Sequence, residues 1–288
     1  MRVFKLVLVG VMLCWSTAFA AEIHPAVNTD PVPDKQYPAS MSVLHIPSHG
    51  VVIYGVAYLP VGPGPHPVLI ICHGLPGNEK NLDLAQAVRR AGWVAVTFNY
   101  RGSWGSPGTF SFEGSKEDAQ AVLAYLRDPK TAASLRLDPH RIVLAGHSMG
   151  GGITVQVAAR DRALAGAILM SAWDMSSDAS EKHDQLVANM ADNMETLSGV
   201  TAESMANDLA AHAVDFSFAA AAPKLTETPL LVLTSDDGGA GHADELVRAI
   251  RAKGGQRVTE KHVATDHGWS DRRIELETDV ITWLGQLH

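Results

Sequence analysis

Cysteine is scarce in this sequence of 288 residues, which contains only Cys14 and Cys72. So few cysteines exclude a fold held together by several disulfides. Also missing are an HExxH motif and any cluster of Cys and His at the spacing of metal ligands. No Gly-Lys-Ser/Thr follows the glycine-rich stretch at residues 146–152, which excludes a P-loop. We therefore expect no metal and no cofactor.

Basic residues are in the minority, with 23 Lys and Arg against 31 Asp and Glu and a formal net charge of −8. Such a balance opposes nucleic acid or an anionic membrane as a general partner. A small molecule or a short peptide is the better expectation for what the protein binds. The sequence carries no indication of an oligomeric state.

The sequence also lacks a long apolar run, and the run near the N-terminus covers only residues 6–13. Residues 1–20 combine Arg2 and Lys5, an apolar run at residues 6–13 and a small-x-small pattern at residues 18–20. This pattern is typical of a secretory signal peptide, and the run is shorter than the roughly 20 residues that span a bilayer. We expect cleavage after Ala20 and a periplasmic or secreted protein without a stable membrane anchor, in which Cys72 is the only cysteine.

The alternation of strand and helix patterns predicts one α/β domain. Residues 21–41 are rich in proline and polar residues and are interpreted as a loose N-terminal arm. Within the predicted catalytic domain, residues 42–288, an opening hairpin covers 42–46 and 51–59. Further strands are predicted at 68–72, 93–98, 142–145, 164–170, 230–234 and 257–263, and helices at 79–90, 115–126, 149–160, 243–253 and 272–287. Continuous apolar strands between helices indicate a mostly parallel, twisted sheet covered on both faces.

Residues 174–223 interrupt this alternation with a strandless stretch rich in Ala, Met, Asp and Ser. A structureless loop of that length is uncommon inside a domain. We interpret it as a small helical cap that closes over the site and shapes the substrate pocket. The alternative is a set of crossover helices that pack on the sheet and contact no substrate.

The strongest chemical motif is Gly146-His147-Ser148-Met149-Gly150, which fits G-x-S-x-G between a predicted strand and a predicted helix. In that context the serine occupies a tight strand-to-helix turn, and a side chain at either glycine would crowd the turn. The backbone N–H groups at the helix N-terminus can stabilise negative charge beside it. Ser148 is therefore the predicted nucleophile.

A serine hydroxyl needs a base and an orienting acid, which follow it in the chain in the order acid, then histidine. His267 lies on the loop after the last predicted strand, and we prefer it as the base over His147 and His242. The acid should end the strand at 230–234, where Asp236 and Asp237 compete. We prefer Asp237 because it begins the turn with Gly238, and Asp236 remains the alternative. Asp266, adjacent to His267, ranks third.

An oxyanion hole requires two N–H donors near the nucleophile. Met149 supplies one, as the residue after Ser148. The second should come from the turn at residues 73–77, where Leu75 is the expected donor because Pro76 has no N–H. Cys72 ends the preceding buried strand and is interpreted as a core residue.

These motifs resemble the α/β-hydrolase superfamily from about Tyr54 to the C-terminus. The loop at residues 99–106 is similar to that of the prolyl-oligopeptidase-like and dienelactone-hydrolase-like branches, and it offers Arg101 and Trp104, with His147, as candidate substrate contacts. An arginine at a strand end can equally anchor the loop. The resemblance implies acyl transfer without a cofactor.

We therefore expect a serine hydrolase that cleaves small carboxylic esters. A serine peptidase of the aminopeptidase or dipeptidase kind, using the same three residues, is the alternative. A catalytically inactive binding protein that keeps the fold is an alternative of another class.

Overall fold

The computed structural model describes residues 22–179 and 181–287, so the predicted signal peptide at residues 1–20 lies outside the described residues. Eight strands form one sheet: β1 Ser40–Ser48, β2 Val51–Leu59, β3 His66–Cys72, β4 Val94–Phe98, β5 Leu137–His147, β6 Gly166–Met170, β7 Leu230–Thr234 and β8 Val258–His262. Their order is β1-β2-β4-β3-β5-β6-β7-β8. The pairs β1–β2 and β2–β4 are antiparallel, and the other pairs are parallel.

The described chain also forms helices α1 Pro25–Asn28, α2 Leu82–Arg90, α3 Phe112–Arg127, α4 Pro129–Ser134, α5 Met149–Ala158, α6 Met175–Asp178, α7 His183–Ala191, α8 Ala202–Ala211, α9 Phe218–Ala221, α10 Ala240–Ala252 and α11 Arg273–Leu284, and a 3-10 helix Ala222–Lys224. Within residues 22–179 and 181–287, no helix has both the length and the apolar character needed to cross a membrane.

Helices cover both faces of the sheet because successive side chains of a strand point to opposite faces. In β3, Val68 and Ile70 pack into the core shared with α3, α5 and α10, whereas Leu69 and Ile71 pack into the core shared with α2 and α11. Strands β4, β6 and β7 are buried along their whole length. These buried strands thus reflect a sheet whose central part is covered by helices on both faces, which confirms the predicted α/β fold.

The N-terminal arm is ordered where the sequence predicted a loose segment. Helix α1 packs on α2 and α11, and Ala26 is buried. The Arg90 guanidinium donates to the carbonyl oxygens of Ala26 and Val27, at 2.5 and 2.8 Å. The arm has no periodic pattern of its own, so these contacts with distant helices, rather than local propensity, account for its order.

Helix α4 was also not predicted. Its first turn is capped by Asp128, whose side chain accepts hydrogen bonds from the N–H groups of Lys130 and Thr131. Pro129 occupies the first helical position, which tolerates a missing N–H. The dipeptide Asp128-Pro129 is a sequence signal for a helix N-terminus, although the helix that follows it is too short to show a periodic apolar pattern.

Helices α6 to α9 fill the segment between β6 and β7. Ser198 and Thr196, on the connection between α7 and α8, bond the backbone of the loop after β4 through Gly102 and Trp104 at 2.8 and 3.0 Å. The Asp208 carboxylate on α8 accepts from the N–H of Phe112 at 2.6 Å and so joins this segment to the start of α3. The helical segment is therefore fixed over the carboxyl end of the sheet.

A pair of carboxyl groups, the exposed Asp83 and the buried Glu277, joins α2 to α11. Arg273 binds Asp83 through two nitrogens, at 2.6 and 2.7 Å. Burial raises the pKa of Asp83, but the hydrogen bonds and charge of Arg273 outweigh it and lower the pKa below its usual value. Burial and the neighbouring Asp83 charge raise the pKa of Glu277 to about 7. Asp83 and Glu277 are joined by a hydrogen bond, and its proton therefore resides on Glu277.

This arrangement predicts that the contribution of Glu277 to the free energy of unfolding falls as pH rises from about 4.5 to about 7. In that interval the folded protein retains the Glu277 proton that the unfolded chain has already lost, so the folded state binds more protons. Glu277→Gln mimics the protonated group at every pH. We expect the variant to match the wild type near pH 5 and to exceed its free energy of unfolding by about 2 kcal/mol near pH 8.

Urea unfolding of both proteins at the two pH values measures this difference. Comparing the two proteins at each pH removes the contributions of all other titrating groups. A gap between variant and wild type that stays constant from pH 5 to pH 8 would contradict the assignment of the proton to Glu277.

Candidate active site

Ser148 lies at the turn between β5 and α5 with φ 56° and ψ −122°. A non-glycine residue with positive φ is uncommon and strained, and it persists only where the surroundings hold it. Here the N–H of Ser148 donates to the carbonyl oxygen of Met170 at 3.0 Å, and its own carbonyl accepts from Trp173 at 2.9 Å. The backbone is thus fixed on both sides of the serine.

The two glycines of the motif are required by close approach of the backbone. A Cβ atom at Gly146 would collide with the carbonyl oxygen of Gly150. A Cβ atom at Gly150 would collide with the carbonyl oxygen of Cys72. The tight turn predicted from the sequence therefore has no room for a side chain at either position.

His267 and Asp237 form a hydrogen-bonded pair, with 2.7 Å between Nδ1 and Oδ2. The other oxygen of Asp237 accepts from the N–H of Gly239 at 2.9 Å. Burial raises the pKa of Asp237, whose side chain is 7% exposed, but the hydrogen bonds from His267 and Gly239 outweigh it and lower the pKa to about 2. Asp237 is therefore an ionised carboxylate that fixes one nitrogen of His267, leaving Nε2 for proton transfer.

The competing carboxylates lie elsewhere. Asp236 is exposed and contacts His262, with 3.0 Å between Nε2 and Oδ1. Asp266 accepts a hydrogen bond from the N–H of Ser270 at 2.8 Å. The structure therefore brings Asp237, and neither Asp236 nor Asp266, to His267. His242, the rival base, is an exposed residue of α10.

His147 connects the His267 loop to the turn that carries Ser148. Its Nε2 lies 2.7 Å from the carbonyl oxygen of His267, and the two ring centroids are 4.7 Å apart. Burial lowers the pKa of His147 to about 4, so the ring is neutral near pH 7 and Nε2 carries the proton that the carbonyl accepts. His147 is 5% exposed, and its contact with substrate stays a prediction. It packs beside Ser148 and holds the loop that carries His267.

The turn at residues 73–77 approaches the nucleophile closely. A Cβ atom at Gly74 would lie 3.0 Å from Cβ of Ser148 and 3.4 Å from its Oγ. Leu75 and Ser148 line the same cavity. Met149 begins α5, where first-turn N–H groups have no intrahelical acceptor. Both predicted oxyanion donors thus belong to backbone segments that border Ser148.

Three side chains anchor this turn, and the sequence had indicated only one of them, Trp104, as a candidate substrate contact. Tyr100 donates to the carbonyl oxygen of His73 at 3.3 Å. Thr196 and Trp104 both donate to the carbonyl oxygen of Pro76, at 2.9 and 2.7 Å. Thr196 belongs to the helical segment between β6 and β7, so no local motif could have located its contact.

Arg101 and Trp104 have different surroundings. The Arg101 guanidinium contacts Glu117 at 2.5 Å, Asp118 at 2.7 Å and the carbonyl oxygen of Gly114 at 3.0 Å. These contacts favour the anchoring interpretation over a substrate contact. Trp104 is partly exposed and stacks under the ammonium of Lys80, which lies 3.9 Å from the ring centroid. It borders the turn at residues 73–77.

The cavity beside Ser148 has a volume of about 340 Å³. Its lining is formed by Leu75, Ser148, Trp173, Asp178, Asn189, Met190, Asp192 and Asn193. Five of these residues come from α6, α7 and the chain after α7, so the helical segment forms a wall of the cavity, as expected of a cap. A larger cavity of about 510 Å³ lies at the start of α11. We assign the site to the smaller one because it contains Ser148.

Cys72 is buried and unpaired, and burial raises the pKa of its thiol to about 12, so it stays protonated. A thiol in that state is a poor nucleophile. Across residues 22–179 and 181–287, no group of three or more His, Cys, Asp or Glu side chains is arranged to hold a metal ion.

Residues 67–253 match the protein family described as alpha/beta hydrolase fold. The chain belongs to this family. The eight-stranded, mostly parallel sheet has the architecture expected of an α/β-hydrolase, and the residues matched run from β3 to the end of α10.

Individual relatives of this α/β-hydrolase match it at low sequence identity. An uncharacterised protein of Mycobacterium tuberculosis is 27% identical over 174 residues, which are 60% of this chain and 60% of that protein. The chain thus spans about three fifths of the length of that curated relative. Much of each protein lies outside the matched region.

Solved structures share the fold at low identity. A thermostable carboxyl esterase from Bacillus coagulans aligns with a TM-score of 0.67 and 15% identity, covering 86% of this chain and 99% of that chain. An acylaminoacyl peptidase from Pyrococcus horikoshii aligns with a TM-score of 0.64 and 17% identity, covering 88% and 42%. Because an esterase and a peptidase share this fold, the fold does not choose between the two activities.

Proposed function

We propose that this α/β-hydrolase cleaves small carboxylic esters with Ser148 as nucleophile, His267 as base and Asp237 as acid. The observation that carries the proposal is the 2.7 Å contact between His147 Nε2 and the carbonyl oxygen of His267, because it holds the Asp237–His267 pair against the turn that presents Ser148. These contacts support a site in which nucleophile, base and orienting acid act together at one edge of the sheet.

In the proposed mechanism His267 Nε2 accepts the Ser148 proton while Oγ attacks the ester carbonyl carbon. The negative charge on the tetrahedral oxygen is stabilised by the N–H groups of Leu75 and Met149. The alcohol leaves with the proton returned by His267. Water, deprotonated by His267, then attacks the carbonyl carbon of the acyl-enzyme, and the acid is released as His267 returns that proton to Ser148 Oγ. Asp237 stays ionised throughout and stabilises the imidazolium.

Peptidase activity is the second candidate, and a feature of the cavity favours it. Asp178 and Asp192 place two carboxylates in the lining, and none of the lining residues is Lys or Arg. Carboxylates of this kind attract an ammonium group such as a peptide N-terminus. They also oppose the entry of negatively charged acyl groups.

A fluorophosphonate probe and a substrate panel test the proposal. We expect the probe to label the protein at Ser148, located by peptide mass spectrometry. p-Nitrophenyl esters should be hydrolysed faster than aminoacyl p-nitroanilides, and esters with an anionic acyl group should be the slowest. Asp192→Asn should reduce the ratio of the hydrolysis rates of neutral and anionic esters about fivefold.

Asp184→Asn is the matched control, since Asp184 is an exposed residue of α7 that is not among those lining the cavity. Faster cleavage of the nitroanilides would establish the peptidase instead. Neither labelling nor turnover would favour the inactive binding protein.

We further propose that the protein is exported and acts in the periplasm or outside the cell, on a small-molecule ester and without a nucleic-acid partner. The pattern of residues 1–20 and the net charge of −8 support this. An intact mass corresponding to a chain that begins at Ala21, measured on the expressed protein, is the expected result. A full-length mass would contradict cleavage.

A further inference from the structure

Three buried side chains meet beneath the Asp237–His267 pair, each from a loop that follows a different strand. Ser171 follows β6, Ser235 follows β7, and Trp269 lies after β8, two residues beyond His267. Their exposed fractions are 6%, 1% and 0%. None of the steps of the proposed mechanism uses these residues, yet their loops carry Asp237 and His267.

Hydrogen bonds connect them in a row. Trp269 Nε1 donates to Ser171 Oγ at 3.0 Å, and Ser171 Oγ lies 2.7 Å from Ser235 Oγ. The hydroxyl of Ser235 interacts with the Asp237 carboxylate and contributes to lowering its pKa. Since Asp237 in turn binds His267, which shares a loop with Trp269, the contacts close a ring through both loops.

The chemistry of the two end groups limits the direction of these bonds. An indole N–H can only donate, and an ionised carboxylate can only accept. Trp269 therefore donates to Ser171, whereas either of the two serine hydroxyls can be the donor in the bond between them. An orientation in which the Ser171 proton goes to Ser235 and the Ser235 proton faces Asp237 agrees with the lowered pKa of Asp237 and lets each bond polarise the next.

Backbone strain supports a functional reason for this geometry. Ser171 has φ 44° and Trp269 has φ 59°, both in the left-handed region that residues with side chains rarely adopt. Such conformations persist where surrounding contacts enforce them, and they concentrate at functional sites. Two strained residues in one short row of hydrogen bonds are hard to explain by packing alone.

We propose that Trp269, Ser171 and Ser235 are positioning residues, which fix the Asp237 carboxylate and so set the orientation of His267. This inference rests on the proposed function for its effect on turnover. The row joins the loops after β6, β7 and β8 beneath the reacting groups, so it determines the separation of acid and base without touching substrate.

Single substitutions along the row give the test. Ser235→Ala should lower kcat on a p-nitrophenyl ester about 10- to 100-fold with KM unchanged, a size typical of residues that orient a functional group. Ser171→Ala should have a smaller effect, and Trp269→Phe, which removes only the far donor, the smallest. If packing alone mattered, Trp269→Phe would be the most harmful because it removes the most volume.

Ser115→Ala is the matched control, because Ser115 is a buried serine of α3 whose hydroxyl donates to the carbonyl oxygen of Ser111 at 2.8 Å, away from this row. Its kcat should equal that of the wild type. Circular dichroism verifies folding of each variant, and if Ser235→Ala does not fold, Ser171→Ala and Trp269→Phe provide the same comparison.

A readout that needs no turnover separates this inference from the proposed function. The proton on His267 Nδ1, shared with Asp237, should give a downfield ¹H NMR resonance that is absent in His267→Ala. Ser235→Ala should shift or broaden it, and Ser115→Ala should leave it unchanged. A perturbed resonance would support the row even if esters prove not to be substrates. An unchanged resonance and an unchanged kcat in Ser235→Ala would overturn the row and leave the proposed function standing.

Discussion

Ser148→Ala should lower kcat on a p-nitrophenyl ester by at least about 10⁴-fold while the protein remains folded. The substitution removes the oxygen that forms the acyl-enzyme. The alanine can keep the backbone hydrogen bonds to Met170 and Trp173 that hold the turn. The backbone strain at this position also remains, since alanine gains no freedom at positive φ.

Steady-state kinetics measure the loss, and thermal unfolding followed by circular dichroism verifies the fold. Labelling by the fluorophosphonate probe should disappear in the same variant. An undiminished rate in folded Ser148→Ala would reject the whole mechanism, because no other side chain of the motif could supply the nucleophile.

Asp237→Asn should lower kcat about 10³- to 10⁴-fold, the second largest effect we expect. The carboxamide keeps the size of the side chain but loses the charge that stabilises the imidazolium. If its NH₂ group faces His267, it also favours the wrong tautomer. Asp237 is ionised at every working pH, since its pKa is about 2, so the loss should persist across the pH profile.

Asp236→Asn is the internal control for this experiment. Asp236 precedes Asp237 in the chain and carries the same charge, but it contacts His262 at the surface. Its kcat should stay within about twofold of the wild type, as for a surface substitution. A large loss in Asp236→Asn with normal activity in Asp237→Asn would transfer the acid role to Asp236.

The sequence predicted most of the sheet because the central strands are buried and therefore consist mainly of apolar residues. The strand Leu230–Thr234 is apolar up to its final threonine and buried along its whole length, as expected in a sheet covered on both faces. The serine turn was readable for a related reason. Gly146 and Gly150 are needed where the backbone approaches itself, so the local sequence records a constraint of the tertiary structure.

Other features depended on contacts that no local pattern encodes. The sequence favoured Asp237 over Asp236 only through the neighbouring turn, and the decisive fact, the 2.7 Å contact with His267, joins residues from two separate loops. The same holds for the arm around Ala26, which is ordered by Arg90. It holds as well for Thr196, whose bond to the turn at residues 73–77 spans much of the chain.

The cavity wall and the reacting groups come from separate parts of the chain, with a consequence for how this protein could change. Ser148, Asp237 and His267 stand at the ends of strands β5, β7 and β8, whereas Asp178, Asn189 and Asp192 belong to the segment inserted between β6 and β7. Exchanging that insertion for one from another protein would alter which molecules enter, and bond cleavage would persist where the new segment still anchors the turn at residues 73–77 as Thr196 does. A new substrate preference could then arise by replacing this one segment, while Ser148, Asp237 and His267 stay unchanged.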